Sequence, residues 1–475
     1  MSSLFLISFV VYLLSLAFSE STLSYKLLIL FRDMLILGFI SQFFNLVKKN
    51  SLVVLVGAVV VYGLLQFVGF NMLFDTFPQV NNSVSESNDE FELLIETENG
   101  EIPKSYDRLI KKYGLTIQSA FHPADESLSR LDEFLVLGIP DNAEDNTKEI
   151  FRELQRAEGT EYVEYNEVIT LEVQNAETTY SAVTAKYVND PMVSQQWGWD
   201  KIQGDRVHEM LSSGNLKPQK KILIAIIDSG VDATHPDLNG HFLTSDSQND
   251  TDPLGHGTHC AGIAGAISNN GIGIASLLPN ASYVQVTSVK VMNAMGVGNH
   301  QLTISGMIKA ADMGADVISM SLGGLSNDSR QRAYEEAVKY ANAKGSIVVA
   351  AAGNSNQNAK GYAPANAQGV ITVSAIGADL SKAPFSNSVN DIKYGVAAPG
   401  VRIMSTYPNA QYKELDGTSM ATPMVAGLIG LLKSFNPKLT TKEVYDILHD
   451  TGKKLSDDRT GRFIQAADAL ERVID

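Results

Sequence analysis

Cysteine is nearly missing from this sequence: Cys260 stands alone among 475 residues. No intramolecular disulfide can form, which excludes the small disulfide-stapled scaffolds of secreted domains. Basic charge is also scarce. Residues 75–475 carry 33 Lys and Arg against 51 Asp and Glu. So acidic a surface excludes nucleic acid as the expected partner and keeps this part of the chain soluble. Charge of either sign is absent from Ser51 to Phe74, a run of 24 residues. About 20 apolar residues cross a bilayer as a helix, so a transmembrane helix is expected there. Lys48 and Lys49 precede the run and acidic residues come after it from Asp75. The positive-inside rule then puts the rest of the chain on the extracytoplasmic side.

Met1 to Ser19 is uncharged too, without the basic start or small-residue cleavage site of a signal peptide. Leu27 to Val47 is apolar around Arg32-Asp33 and reads either as a third span or as an interfacial helix. Residues 1–74 are therefore expected to be a membrane anchor of two or three segments. Residues 75–90 are polar and read as a linker.

From Phe91 onward the patterning is regular. Strands are expected at Phe91–Glu96, Leu115–Phe121, Phe134–Gly138 and Tyr162–Leu171, with helices at Lys104–Tyr113 and Thr147–Ala157. The order β-α-β-β-α-β is that of a split βαβ unit, a small α+β domain over residues 91–172. Residues 173–189 read as a tether. From 190 to 475 strands and helices alternate. Apolar runs such as Lys221–Ile227 and Ser346–Ala351 are typical of parallel strands buried on both faces. A doubly wound α/β domain with a mostly parallel sheet is expected, with its site beyond the carboxyl ends of the strands. Asp228 and Asn354 fall there.

A hydroxyl needs a base, a group to orient the base, and donors for the oxyanion that forms during attack. Ser419, in Gly417-Thr418-Ser419-Met420-Ala421-Thr422-Pro423, precedes an apolar helical stretch reaching Phe435. Alone it reads equally well as a helix N-cap. Pro423 is expected in the first helical turn, and Glu414–Gly417 as a turn. His256 lies in His-Gly-Thr-His, Asp228 ends a strand in Asp-Ser-Gly, and Asn354 offers an amide in Ala-Ala-Gly-Asn. The chain order Asp, His, Ser is one of three orders on unrelated folds that converged on this triad. His256 and His259 also have the spacing of a metal pair, but no third ligand with convincing spacing follows.

These motifs, with His235-Pro236-Asp237-Leu238 and Ser321-Leu322-Gly323 between them, resemble those of the subtilisin-like (subtilase) serine proteases over about 285 residues. The resemblance implies a subtilisin-like fold and an endopeptidase acting on polypeptides through an acyl-enzyme. Ser419 would be nucleophile, His256 base and Asp228 its orienting carboxylate, with Asn354 and the Ser419 N–H as oxyanion donors. Substrate would pair as an added strand near Ser321-Leu322-Gly323 and near Gly296-Val297-Gly298. Gly361 matches the floor of the primary pocket, and serves equally as a turn residue. Cys260 suggests the thiol-containing variety. A structural calcium ion is implied at Asp190, Asp237, Asn270, Ile272 and Ile274.

The resemblance also makes residues 91–172 an inhibitory propeptide with its last strand in the substrate groove. Autocleavage would follow Leu171, which suits an apolar pocket, or Glu172, which suits the strand end. Cleavage would free the catalytic domain from its anchor. A small insertion is expected at Gln285–Val289. Two other readings remain: a transpeptidase, in which an amine replaces water, and a membrane-tethered binding module blocked by its own propeptide.

Overall fold

Phe91 begins the part of the chain that the computed structural model describes: residues 91–171, 174–175, 183–213, 216–244, 246–326 and 328–474. The hydrophobic segments 1–74, the linker 75–90, Glu172 and part of the tether lie outside the described residues. Among those described, no helix is long and apolar enough to cross a membrane.

The α+β unit has the expected element order. β1 (Phe91–Thr97), α1 (Asp107–Tyr113), β2 (Thr116–Ser119), β3 (Phe134–Gly138), α2 (Thr147–Leu154) and β4 (Thr160–Tyr165) follow one another. The strands form an antiparallel sheet in the order β2-β3-β1-β4. Leu93, Ile95, Leu135 and Leu137 alternate toward one face and bury Ile150 and Leu154 of α2, as period-two strands under an amphipathic helix must.

The closing strand expected over Tyr162–Leu171 is in fact two. β4 stays in this sheet, while β5 (Val168–Thr170) leaves it. The break lies at Asn166. Its Nδ2 donates to Phe91 O at 2.9 Å, its N–H donates to Glu92 O at 2.8 Å, and its Oδ1 accepts from Gln301 N at 3.1 Å. One side chain thus ends one sheet and ties the turn to the larger domain.

That domain is built on a seven-stranded parallel sheet. Its strands are β6 (Ile222–Asp228), β7 (Val284–Lys290), β9 (Val317–Met320), β10 (Ile347–Ala351), β11 (Val370–Ile376), β12 (Gly395–Pro399) and β15 (Arg462–Phe463), in the order β15-β12-β11-β10-β9-β6-β7. β8 (Val297–Asn299) stands apart, and β13 (Ile403–Tyr407) and β14 (Gln411–Asp416) form an antiparallel hairpin. β6 explains the continuous apolar run. Ile222, Ile224 and Ile226 face a core with Val425, Leu428 and Leu432, while Ala225 and Ile227 face a second core with Met307 and Ile308. The helices that bear on the site are α3 (His256–Gly265), α4 (His300–Asp312), α5 (Asp328–Ala343) and α6 (Thr418–Phe435).

Gln285–Val289, where a small insertion is expected, lies within unbroken strand: β7 pairs with β6 residue for residue from Ile222↔Val284 to Asp228↔Lys290. Two local expectations change. Glu414–Asp416 is not a turn but the end of β14, because the chain reverses earlier at Asn409 and Ala410, both with positive φ. Pro423 is the sixth residue of α6, not a first-turn residue. Proline there lacks the N–H that would bond the Ser419 carbonyl four residues back, a defect worth about 3 kcal/mol in an ordinary helix interior.

Every residue of α6 is buried. It crosses α3 closely, and a Cβ on Gly427 would stand 2.7 Å from Ala264 O. Gly427→Ala is therefore expected to lower unfolding stability by about 1–3 kcal/mol, because the steric push exceeds the roughly 1 kcal/mol that alanine gains as a helix former. Urea denaturation checks this.

Candidate active site

Asp228 ends β6 with its side chain wholly buried, and His256 opens α3 one layer away. His256 Nδ1 lies 2.8 Å from Asp228 Oδ1 and 2.9 Å from Oδ2, and Ser229 N donates to Oδ1 at 2.7 Å. Close approach of the two elements requires glycine. A Cβ on Gly257 would fall 2.0 Å from Gly230 O. Burial works toward the neutral imidazole, but the Asp228 carboxylate outweighs it and holds the His256 pKa well above its ordinary value. The Cys260 thiol is itself pushed up by burial, so a neutral S–H stands beside the ring, 4.0 Å from Nδ1.

Ser419 is the second residue of α6 and 6% exposed. Its hydroxyl donates to Ser321 O at 3.1 Å, and His256 Nε2 is buried without a protein partner among the described residues. Cys260 links the two helices, since its Sγ also reaches Ser419 O at 3.5 Å. Asn354 follows the carboxyl end of β10. Its Oδ1 accepts from Thr418 N and Thr418 Oγ1, both at 2.9 Å. That fixes the amide plane and leaves Nδ2 as the end able to donate into the cleft.

The cleft holds about 400 Å³ and is walled by Ser321, Leu322, Gly323, Asn354, Tyr362 and Ser419. Part of its lining comes from this chain's own Glu167–Leu171. β5 pairs antiparallel with β8, Ile169 opposite Gly298 and Thr170 opposite Val297, and Leu171 N donates to Gly296 O at 2.9 Å. Gly296 and Gly298 thus border an added strand, and Ser321–Gly323 form the facing wall. Gly361 ends a short 3-10 turn, is exposed, and a Cβ there would meet nothing within 4 Å. The next two residues, Tyr362 and Ala363, line the cleft.

His259 is not a partner for a metal at His256. Its Nε2 donates to Lys413 O at 2.9 Å, and burial pushes its pKa down to about 3, so it is a neutral structural residue. Asp190 and Asp237 come from different segments and are both buried against the loop 269–274. Asp190 accepts from Asn269 N and Asn270 N at 2.8 and 3.2 Å, and Asp237 from Asn270 Nδ2 at 2.7 Å and Ile274 N at 2.9 Å. Ile272 is half-exposed and its N–H bonds Asn270 Oδ1 at 2.9 Å. Burial raises both carboxyl pKa values, and Asp190 adds to the rise at Asp237. Neither has an ion pair with a basic side chain among the described residues.

Sequence reasoning missed Asp252. This buried carboxylate caps α3: Oδ1 accepts from Ser229 Oγ and Gly255 N, both at 2.8 Å, and Oδ2 from Thr258 N and Thr258 Oγ1, both at 2.7 Å. An acidic residue just before a helix start was the available signal. Asp252→Ala would orphan four donors. Stability is expected to fall by about 2–4 kcal/mol in chemical denaturation.

With this geometry in view, the relatives are informative. The family model described as the subtilase family matches residues 219–464. Thermitase of Thermoactinomyces vulgaris is 44% identical over 254 residues, 52% of this chain and 85% of thermitase. Subtilisin DY of Bacillus licheniformis is 39% identical over 269 residues, 55% of this chain and 92% of that protein. A solved structure of a protease from Pseudoalteromonas arctica superposes with a TM-score of 0.53 at 28% identity, over 61% of this chain and all of that one. A family match over more than half the chain, carried by a parallel α/β sheet, makes this protein a subtilisin-like serine protease, a member of the subtilase family.

Proposed function

We propose that this protease is made as a membrane-anchored zymogen that processes itself. Ser419 is the nucleophile, His256 takes its proton and later gives it to the leaving amine, and Asp228 holds the imidazole and balances its charge. The 2.8 Å contact between Asp228 and His256 supports the last role. Asn354 Nδ2 and the Ser419 N–H, near the positive end of α6, stabilise the oxyanion; losing the corresponding amide in subtilisin costs about 10²–10³ in kcat. Cys260 beneath the histidine supports the thiol-containing variety.

The observation that carries the zymogen reading is the added strand: β5 hydrogen-bonds to β8 inside the cleft that Ser419 lines. Residues 91–172 are the inhibitory propeptide, and 190–475 the catalytic domain, joined by the tether 173–189. A Cβ on Gly296 would meet Leu171 Cβ at 3.4 Å and Leu254 Cδ2 at 3.1 Å, so Leu171 lies on the β8 side of the cleft. Because Leu171 N is still paired with the β8 edge, the bond taken as the cleavage site is the one after Glu172. The uncharged segments in 1–74 anchor the zymogen with its catalytic domain outside the cytoplasm, and processing releases that domain.

The full chain and its Ser419→Ala variant, expressed in membranes, test this by mass spectrometry of the product N-termini. Wild type is expected to yield a fragment beginning at Val173, and the variant to stay whole. Cleavage of neither at that boundary overturns self-processing.

Calcium at Asp190 and Asp237 is proposed as well. Two buried carboxylates, an amide oxygen and main-chain carbonyls form the hard-oxygen set such an ion prefers, and a bound ion would relieve their mutual repulsion. Without an ion these carboxyls have raised pKa values, so they favour the fold only while protonated, and that contribution is lost as pH rises through the raised range. Calcium competes with those protons. The Tm gain from calcium is expected to shrink as pH falls from about 7 toward the raised carboxyl range. It is expected to vanish in Asp237→Asn, as differential scanning calorimetry would read.

A further inference from the structure

Pro423 leaves the Ser419 carbonyl without its intrahelical donor, at the residue proposed as nucleophile. The carbonyl does not go unpaired. Ser321 Oγ donates to it at 2.7 Å, and Cys260 Sγ approaches it at 3.5 Å. In return, the Ser419 hydroxyl donates to the Ser321 carbonyl at 3.1 Å. The two serines therefore exchange a reciprocal pair of hydrogen bonds, each side chain on the other's main chain. Ser321 is 2% exposed and follows β9, while Ser419 opens α6. No element of regular structure joins these two points, 98 residues apart in sequence.

We propose that the Ser321 hydroxyl is a positioning group for the nucleophile, and that Pro423 serves it by freeing the Ser419 carbonyl from the helix. An unbroken helix would hold this carbonyl along the axis, pointing at residue 423. The proline denies it that partner, and its ring crowds the carbonyl. Ser321 then sets the direction in which the peptide of Ser419 faces. That direction governs where Oγ starts relative to His256 and where the Ser419 N–H region faces the cleft. A small misplacement of reacting groups costs rate much more than affinity. This role belongs to the Ser321 side chain. The pairing of its main chain with substrate is a separate matter.

The inference rests on Ser419 being the nucleophile, and its test keeps the two apart. The full chain is allowed to process, and active enzyme is counted by fluorophosphonate titration. Labelling of wild type and none of Ser419→Ala secures the nucleophile. If wild type does not label, that assignment fails, and this proposal with it.

With the nucleophile secured, Ser321→Ala is expected to lower kcat by about tenfold or more with KM within about twofold, and to lower Tm by roughly 2–6 °C from the orphaned carbonyl. Ser321→Thr, which keeps the hydroxyl, is expected to recover most of the lost kcat. The decisive variant is the double change Ser321→Ala with Pro423→Ala. The second substitution restores the missing N–H, so Tm is expected to return toward wild type while kcat stays low. Recovery of kcat together with Tm overturns the proposal, because Ser321 would then only have satisfied a buried carbonyl. A kcat within about twofold of wild type in Ser321→Ala overturns it as well.

Discussion

The buried contact between Asp228 and His256 is the constraint that the surrounding structure serves. A carboxylate with no solvent exposure is tolerated only when a partner and several donors compensate its charge. The imidazole supplies one donor and the Ser229 N–H another. For the ring to reach, α3 must begin against the end of β6, and glycine at 257 permits so close an approach. Asp252 then holds the start of α3 by both oxygens. The parallel sheet, this glycine and the cap are thus linked consequences of placing one charge pair inside the protein.

The same logic places α6. It is buried on every side and crosses α3 where Gly427 meets Ala264, so the helices bearing Ser419 and His256 are packed directly on one another. Their relative position is set by close-packed backbone and not by a flexible loop. Close packing of this kind transmits small displacements and does not absorb them.

Much of this was legible in the sequence. Parallel strands buried on both faces give continuous apolar runs, so β6 and β10 stood out. Chemistry that admits few residue types at fixed places made Asp228, His256, Asn354 and Ser419 stand out too. The features that stayed hidden depend on contacts between distant segments. The break at Asn166 needs Phe91 and Gln301 in place. The role of Asp252 needs Ser229 and Thr258 nearby. Pro423 was readable as a helix residue, but not as the sixth one, because a cap at Gly417 and a cap two residues later give the same pattern. Gly361 had two readings because a glycine in a turn and a glycine under a pocket look alike in sequence, and it does end a turn.

β5 has a further consequence. A strand of three residues makes few hydrogen bonds and would bind weakly as a separate peptide. It fills the cleft because the α+β unit is docked on α5 through Arg332, whose guanidinium bonds Glu96 at 2.8 Å and lies over the Tyr162 ring. Within one chain, the local concentration of this strand is set by geometry alone and does not change with dilution. Were the backbone between the strand and the catalytic domain cut, occupancy would become an ordinary second-order equilibrium. The same contacts would then block the cleft in a crowded compartment and release it in a dilute one.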